Sequence, residues 1–174
     1  VVIKLAERIC LLREVKNADE ETRVLLAREI ADIYAPLANR LGIGQLKWEL
    51  EDISFRYLHP EVYKDIAKQL DGKRVDREIY IENFVNQLQQ RLDEEQIRAK
   101  VYGRPKHIYS IWKKMRRKRV DFEQVFDVRA VRALVDTVPH CYEVLGLAHS
   151  LWRPVPGEFD DYIAHPKPNG YRSL

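Results

Sequence analysis

The spacing of hydrophobic residues changes near residue 95 and divides the chain into two parts. Before that point, apolar residues recur every three or four positions, which is the period of an α-helix. The pattern predicts helices at the N-terminus and over residues 22–41, 45–58, 60–70 and 76–94. Pro36 is expected to kink or restart the second helix, because proline has no backbone N–H to donate. We therefore interpret residues 1–95 as a helical scaffold.

After residue 95 the chain alternates between apolar and polar residues, and the pattern predicts a strand over residues 97–102 that Gly103 ends. Pro105 is expected to open a helix, whose apolar residues have helical spacing: Ile108, Ile111, Trp112 and Met115. A second strand over residues 127–135, a helix over 139–152 and a third strand after Gly170 follow. The expected fold class is α+β, with an all-α segment over 1–95 and an α/β domain over 96–174 whose sheet continues past Leu174.

The composition is that of an ordinary globular sequence. The chain has 174 residues, of which 45% are hydrophobic and 33% charged, enough for one good core or two small ones. No apolar run reaches the roughly 18 residues that a membrane-spanning helix needs. Cys10 and Cys141 lie far apart without a CxxC spacing, so we expect reduced thiols in a cytoplasmic protein.

The net charge of +3 conceals an asymmetry between the two parts. Residues 1–95 contain 15 Lys and Arg against 19 Asp and Glu, whereas residues 96–174 contain 15 against 8. An anionic ligand is therefore expected to bind the second part.

One segment, KVYGRPKHIYSIWKK, has features that suit a phosphate group. A turn that leads into a helix N-terminus presents free backbone N–H groups and the positive end of the helix dipole to an anion. Arg104 and Lys106 add charge there, and Ser110 and Lys114 follow along one helix face. Two alternatives stay open, which are a solvated basic helix face and RNA contact by the basic run 113–119.

Two further residues have both a functional and a structural interpretation. Asp127 opens the predicted strand over 127–135 and is either a turn or cap residue or a ligand for Mg²⁺. Tyr171 follows the Asn169-Gly170 turn and either packs in the core or presents its ring to a base.

Three segments together resemble the synthetase domain of the RelA/SpoT family, the GTP pyrophosphokinases that make (p)ppGpp. They are YGRPKHIYSIWKKM, FDVRAVR and DDYIAHPKPNGY, and they occur in the family's order and at its spacing. Residues 1–95 are similar to the end of the family's hydrolase-type helical domain and the helices that join it to the synthetase. The resemblance thus covers the whole chain and implies a nucleotidyltransferase-like domain with a mixed sheet.

The resemblance implies that the β,γ-pyrophosphate of ATP is transferred to the 3′-hydroxyl of GDP or GTP, releasing AMP, with Mg²⁺ as cofactor. Four residues match the ATP-binding loop and helix: Arg104, Lys106, Ser110 and Lys114. Asp127 matches the metal-binding carboxylate and, with Lys114, is expected to be catalytic. Three residues match the acceptor pocket, where Tyr171 would stack on guanine: Lys167, Asn169 and Tyr171.

Two departures from the family pattern are informative. Bifunctional members carry a basic motif where this chain has Glu158, Asp160 and Asp161, an acidic version that resembles monofunctional RelA-type synthetases and implies a preference for GDP. Active hydrolases supply an Asp and an Asn to a metal site at the positions of Glu7 and Leu11. Leucine has no lone pair for a metal, so we expect no hydrolase activity.

The family's second metal-binding acid would fall after Leu174, so little activity is expected of this segment alone. The resemblance also implies contact with the ribosome and uncharged tRNA through regions outside the segment. The alternative is a non-catalytic regulatory or RNA- and ribosome-binding module.

Overall fold

A computed structural model describes residues 1–72, 74–104, 106–125 and 128–174, most of which are helical. The helices, in chain order, are α1 (Val2–Glu14), α2 (Glu20–Glu29), α3 (Ala35–Arg40), α4 (Gly44–Leu58), α5 (Pro60–Gly72), α6 (Arg74–Glu94), α7 (Ile108–Lys118) and α8 (Val138–Leu151). The strands are β1 (Ala99–Arg104) and β2 (Ala130–Val135). Short 3₁₀ turns occupy Val15–Asn17 and Phe122–Gln124, and a π-helix spans Ile30–Tyr34. Within the described ranges, no helix is long and apolar enough to cross a membrane.

The chain folds into two compact units that are interleaved in sequence. The first comprises Val1–Gly72 and Lys106–Phe126, and the second comprises Lys73–Pro105 and Asp127–Leu174. The basic helix α7 therefore packs with the N-terminal helices, although it lies beyond the sequence boundary expected at residue 95. The boundary at residue 95 separates two parts with different expected functions, and it stays a prediction. The packing of the helices and strands divides the chain at other residues.

The core of the first unit is built from the apolar faces of α1 to α4 and the π-helix. Its members are almost inaccessible to solvent: Leu5, Ile9, Leu12, Ala27, Ile30, Ala35, Ala38 and Leu50. Burying a leucine or isoleucine side chain contributes about 1.5–3 kcal/mol, so these faces hold the helices together. The helical spacing of the sequence is confirmed here.

Pro36 does more than kink the helix predicted over residues 22–41. The Ala35 N–H bonds to the Ile30 carbonyl five residues back, which closes the π-helix, and α3 then starts with Pro36 in its first turn. A proline ring collides with the carbonyl four residues earlier in a regular α-helix. A wider π turn directly before Pro36 separates these groups, so the expected single helix is divided into three pieces.

Helix α7 packs on α4 and α5 in the first unit. Of the predicted apolar stripe, Ile111 is completely buried and Trp112 and Met115 are half-buried. The helix begins at Ile108 with His107 as its N-cap, later than predicted. Pro105, which was expected to open it, lies outside the described residues.

The second unit contains an antiparallel pair of strands packed against α6 and α8. In the register of the pair, Ala99 faces Val135 and Arg104 faces Ala130. The predicted end of β1 at Gly103 is wrong, because the strand runs through that residue. A Cβ at position 103 would lie 2.6 Å from the Cγ2 atom of Ile81, so glycine allows β1 to approach α6 closely.

The α+β class with a helical N-terminal part is confirmed, but two strand predictions are wrong. The second strand starts at Ala130 instead of position 127, and Asp127 itself lies outside the described residues. Residues 171–174 form no strand, so the described sheet has two antiparallel strands and is not mixed. The backbone there bonds to its own loop, since Tyr162 N–H donates to the Ser173 carbonyl at 2.9 Å.

The core of the second unit lies between α6, the sheet and α8. Leu88, Leu92 and Val101 are buried there. The rings of Phe84 and Trp152 stack with their centroids 3.9 Å apart, which fastens the end of α8 to α6.

We predict that Gly103→Ala destabilises the protein by about 1–3 kcal/mol, because the added methyl overpacks against Ile81. Urea unfolding monitored by circular dichroism measures the change. In an Ile81→Ala background, Gly103→Ala is expected to cost less than in the parent, because the atom that the added methyl would meet is absent.

Gly146→Ala is the matched control, because this glycine lies inside α8 and a Cβ there meets nothing within 4 Å. It is expected to raise stability by roughly 0.5–1 kcal/mol through helix propensity. Equal effects of the two substitutions would contradict the close approach of β1 and α6.

Candidate functional site

Helix α7 places two of the expected ATP-binding residues on one face. Ser110 and Lys114 are four residues apart, so their side chains lie one turn from each other, and both are half-buried. Lys106 precedes the N-cap residue His107 and is also half-buried. The structure thus brings Ser110 and Lys114 together in the first unit, with Lys106 directly before the helix.

One backbone N–H group at the start of α7, where the sequence suggested an anion, already has an acceptor within the protein. The backbone N–H of Tyr109, in the first turn, donates to Asp52 Oδ1 of α4 at 2.9 Å. The His107 side chain makes no capping hydrogen bond. A carboxylate of the protein therefore accepts one of the first N–H groups of α7, and it interacts favourably with the positive end of the helix.

Sequence reasoning missed Asp52, since it precedes Tyr109 by 57 residues. One local signal was present: histidine at position 107 is a poor N-cap compared with Ser, Thr, Asp or Asn. A helix with such a cap needs an acceptor from elsewhere in the fold.

Aromatic rings fix the side of α7 that faces α4. The Phe55 ring lies 4.7 Å from that of Trp112 and 5.5 Å from that of Tyr109, measured between centroids. Burial, followed by the charge of Glu51, raises the pKa of the Tyr109 hydroxyl. The phenol therefore stays neutral near pH 7.

A cleft of about 430 Å³ lies beside this aromatic cluster, between α3, α4 and α7. Its walls are apolar at Phe55 and Trp112 and polar at Lys47 and Glu51, which form an ion pair of 3.0 Å. None of the residues that the sequence assigned to substrates lines it.

The outer side of α7 is basic. Lys113 is exposed with its Nζ 5.8 Å from the Tyr109 ring centroid, and Arg116 lies at the same distance above Trp112. Residues 116–119 are all exposed and end the helix with Arg119 in the left-handed conformation. Positive charge at a helix C-terminus interacts favourably with the dipole, which accounts structurally for part of this run.

Arg104 ends β1 in the second unit and lies near a second guanidinium. Arg132 faces Tyr102 across the strand pair, so it shares a sheet face with Tyr102 and Arg104. Burial, and then the charge of Arg132, lower the pKa of Arg104, while Tyr171 acts on it in the opposite direction. Arg104 remains charged at neutral pH. The sequence did not single out Arg132, which extends the basic face onto β2.

The loop from residue 166 to 171 brings the three expected acceptor residues together. Gly170 has φ of 75°, and its N–H donates to the Lys167 carbonyl at 2.8 Å. The Asn169 side chain accepts from Tyr171 N–H at 3.2 Å. Lys167 Nζ lies 5.4 Å from the centroid of the Tyr171 ring, which is 39% exposed. The turn therefore holds a partly exposed aromatic ring next to a cation.

Asp161 has a structural task that the sequence did not indicate. Its Oδ1 accepts from the N–H groups of Ile163 and Ala164 at 2.9 and 2.8 Å, and its Oδ2 accepts from the Tyr142 hydroxyl at 3.1 Å. The backbone bond to Ala164 is the main cause that lowers the pKa of Asp161. Glu158 and Asp160, in contrast, are exposed. Asp161 is therefore a half-buried acid that holds the loop.

Metal binding can be judged only in part, because Asp127 lies outside the described residues. Among the residues that are described, no group of three or more His, Cys, Asp or Glu side chains could hold a metal ion. On α1, Glu7 is exposed and accepts from Lys4 Nζ at 2.8 Å, which is the main reason that its pKa is lowered. Leu11 is half-buried one helical turn further on.

Comparison with known proteins gives two family matches. Residues 103–174 match the model described as "Region found in RelA / SpoT proteins", and residues 1–44 match that of the HD domain. These segments contain every residue that the sequence assigned to substrates and both positions, Glu7 and Leu11, that it compared with a hydrolase.

Relatives align along the whole chain. It is 62% identical over 174 residues to a GTP pyrophosphokinase of Escherichia coli K12, and 57% identical over 175 residues to one of Haemophilus influenzae. A GTP pyrophosphokinase of Streptomyces coelicolor is 45% identical over 174 residues. The alignments cover all of this chain but only 23%, 24% and 20% of these relatives. The chain thus has an HD-type helical part and a synthetase-type region, and it belongs to the RelA/SpoT family.

We predict that the folded-state pKa of Asp161 lies below its ordinary value of 3.8. Its stabilising effect on the loop is complete above that pH and is lost as the pH falls through the lower folded-state pKa. Carboxyl ¹³C shifts recorded against pH measure it.

Tyr142→Phe removes one donor to Asp161, so the pKa is expected to rise part of the way toward 3.8. Tyr102→Phe, on β1, serves as the matched control and is expected to leave it unchanged. An Asp161 pKa at or above 3.8 in the parent protein would refute the assigned hydrogen bonds.

Proposed function

We propose that this chain is the substrate-binding part of a (p)ppGpp synthetase. The enzyme transfers the β,γ-pyrophosphate of ATP to the 3′-hydroxyl of GDP or GTP and releases AMP. The observation that carries the proposal is the partly exposed ring of Tyr171 with Lys167 Nζ 5.4 Å from its centroid, because a base-binding ring next to a cation suits a nucleotide. The names of the relatives, GTP pyrophosphokinase, support the same reaction.

Tyr171 is proposed to stack on the guanine of the acceptor. Its ring is partly exposed, and the Asn169 side chain restrains the backbone at this position. Lys167 lies within 5.4 Å of the ring centroid and is placed to meet an acceptor phosphate. Rigid turns lower the entropy lost on binding, so this arrangement suits a planar, anionic ligand.

The ATP donor is proposed to bind Arg104, Lys106, Ser110 and Lys114. Arg104, supported by Arg132 on the same sheet face, provides positive charge in the second unit. Ser110 and Lys114 provide a hydroxyl and an ammonium group on one face of α7 in the first unit. Since Asp52 occupies the start of α7, these side chains rather than the helix terminus are the proposed phosphate ligands.

Mg²⁺ is proposed as the cofactor, with Asp127 as its ligand from this chain. Mg²⁺ prefers oxygen ligands such as carboxylates, and one or two protein carboxylates with substrate phosphates commonly complete such a site. The ion would neutralise charge on the transferring pyrophosphate. Lys114 would contribute positive charge there as well, so that positioning and electrostatics supply the rate.

The acceptor 3′-oxygen attacks the β-phosphorus of ATP, and the bond between that phosphorus and the oxygen bridging to the α-phosphate breaks. AMP leaves with this oxygen, and the acceptor loses its 3′-hydroxyl proton. The described residues near Tyr171 orient the acceptor, whereas those on α7 and β1 hold the donor.

Glu158, Asp160 and Asp161 are proposed to favour GDP over GTP. Exposed acids near an acceptor site repel the additional phosphate charge of GTP. Glu158 and Asp160 are more exposed than Asp161, so they are the better candidates for direct repulsion. We also propose that hydrolase activity is absent, since leucine at position 11 offers no ligand.

We predict that the full-length protein, supplied with ATP, GDP and Mg²⁺, produces ppGpp and AMP, as measured by nucleotide chromatography. Asp127→Ala is expected to lower the rate by roughly 100-fold or more. Without this ligand Mg²⁺ binds more weakly, so the negative charge of the transition state loses the ion that would neutralise it. The isolated 174-residue chain is expected to give little product.

Absence of product from the full-length protein would overturn the proposed enzyme. An Asp127→Ala variant as active as the parent would overturn only the metal ligand. Added ppGpp that stays intact with Mn²⁺ or Mg²⁺ supports the absence of hydrolase activity.

We predict that Tyr171→Ala raises the KM for GDP roughly tenfold or more, because stacking of a base on an aromatic ring contributes about 1–3 kcal/mol. Steady-state kinetics with GDP varied at saturating ATP measure the change. Tyr171→Phe keeps the ring and is the control, with a KM close to that of the parent. A Tyr171→Ala enzyme with normal KM for GDP contradicts the stacking role.

A regulatory module that binds RNA or the ribosome is the second candidate. The exposed basic residues 116–119 favour it, and ribosome and uncharged tRNA contacts are proposed for regions outside this segment. Salt-dependent RNA binding that disappears when the basic run is neutralised, without loss of ppGpp synthesis, would support this role.

A further inference from the structure

The expected donor helix is held by the helices that precede the synthetase-type region. That region begins at residue 103, yet α7 packs on α4 and α5 within the first unit. The orientation of Ser110 and Lys114 therefore depends on residues outside the matched region.

One carboxylate links all three of these helices. Asp52 lies on α4, its Oδ1 accepts from Tyr109 N–H at the start of α7, and its Oδ2 accepts from the Tyr63 hydroxyl of α5 at 3.3 Å. Asp52 is half-buried, so both bonds are partly shielded from water. A charged acceptor in such surroundings makes stronger hydrogen bonds than a neutral one.

These contacts determine how α7 lies on the helical unit. The bond to Tyr109 fixes the first turn of α7 along its axis, and the Phe55 and Trp112 rings fix its rotation. Ser110 follows Tyr109 directly, and Lys114 is one turn further, so their positions follow from that anchor. His107 offers no competing cap.

We propose, on the basis of the function proposed above, that Asp52 is a positioning residue for ATP. It holds α7 so that Ser110 and Lys114 meet the donor phosphates, and it does so from α4, which precedes the region that matches RelA/SpoT proteins. Asp52 itself does not touch substrate. Loss of its carboxylate weakens ATP binding more than GDP binding.

The test compares Asp52→Ala, Asp52→Asn and Asp65→Asn in the full-length protein. Asp65 is the matched control, an exposed carboxylate on α5 that accepts from the Gln69 side chain. For Asp52→Ala we expect the KM for ATP to rise roughly tenfold, since a hydrogen bond to a charged group is lost. Asp52→Asn keeps an acceptor and is expected to show a smaller rise, and Asp65→Asn none.

Two readouts separate positioning from a loss of folding. The KM for GDP and the thermal midpoint of the Asp52→Asn variant are expected to stay near the parent values, while amide hydrogen exchange at Tyr109 becomes faster. An unchanged KM for ATP in Asp52→Ala overturns the proposal. Equal changes in the KM for ATP, the KM for GDP and the thermal midpoint also overturn it, because they indicate a general structural role.

The outcome for the parent protein distinguishes the two proposals. If the parent makes no ppGpp but binds ATP in calorimetry, the enzyme proposal fails, and the ATP affinities of the same variants decide the role of Asp52. If the parent does not bind ATP, both proposals fail.

Discussion

The hydrogen bond between Tyr109 N–H and the Asp52 carboxylate anchors the start of the basic helix α7 to α4. A helix needs acceptors for its first N–H groups, and α7 has no local cap to supply one. The acceptor comes from α4, so the basic helix packs in the first unit with the N-terminal helices and not with β1, the strand that precedes it. Aromatic contacts between Phe55 and Trp112 then bury the apolar face of α7 and leave its basic face exposed.

Local hydrogen bonds hold the C-terminal loop of the second unit, which contains the expected acceptor residues. Tyr162 and Ser173 are joined through backbone atoms, and Asp161 and Asn169 accept hydrogen bonds from neighbouring backbone N–H groups. Such local bonds satisfy the backbone without a further strand. Tyr171 is consequently partly exposed beside Lys167. A proline- and glycine-rich loop thus becomes an ordered part of the candidate site.

Periodicity predicted the helices well, because helical spacing of apolar residues is a local property of the chain. The positions of α4, α5 and α6 agree with the pattern to within two residues at each end. Predictions from local sequence failed where a contact with a residue far away in the chain determines the structure. Gly103 was interpreted as a strand end, but it lies within β1. Glycine suits this position because Ile81 of α6 leaves no room for a Cβ. The motif residues Lys167, Asn169 and Tyr171 were assigned from a family resemblance, and their proximity follows from the turn that joins them.

The sequence by itself determined the helical N-terminal part, the α+β class, the basic character of the second part and the family. These properties depend on composition, spacing and motifs, which are present in the chain before it folds. Only the tertiary structure decided that α7 packs with the first unit, that Asp52 occupies its N-terminus and that Asp161 holds a loop. The physical reason is that a helix end or a carboxylate bonds to whichever group the fold brings near it. For Tyr109 at the start of α7 that group is Asp52, 57 residues earlier in the chain.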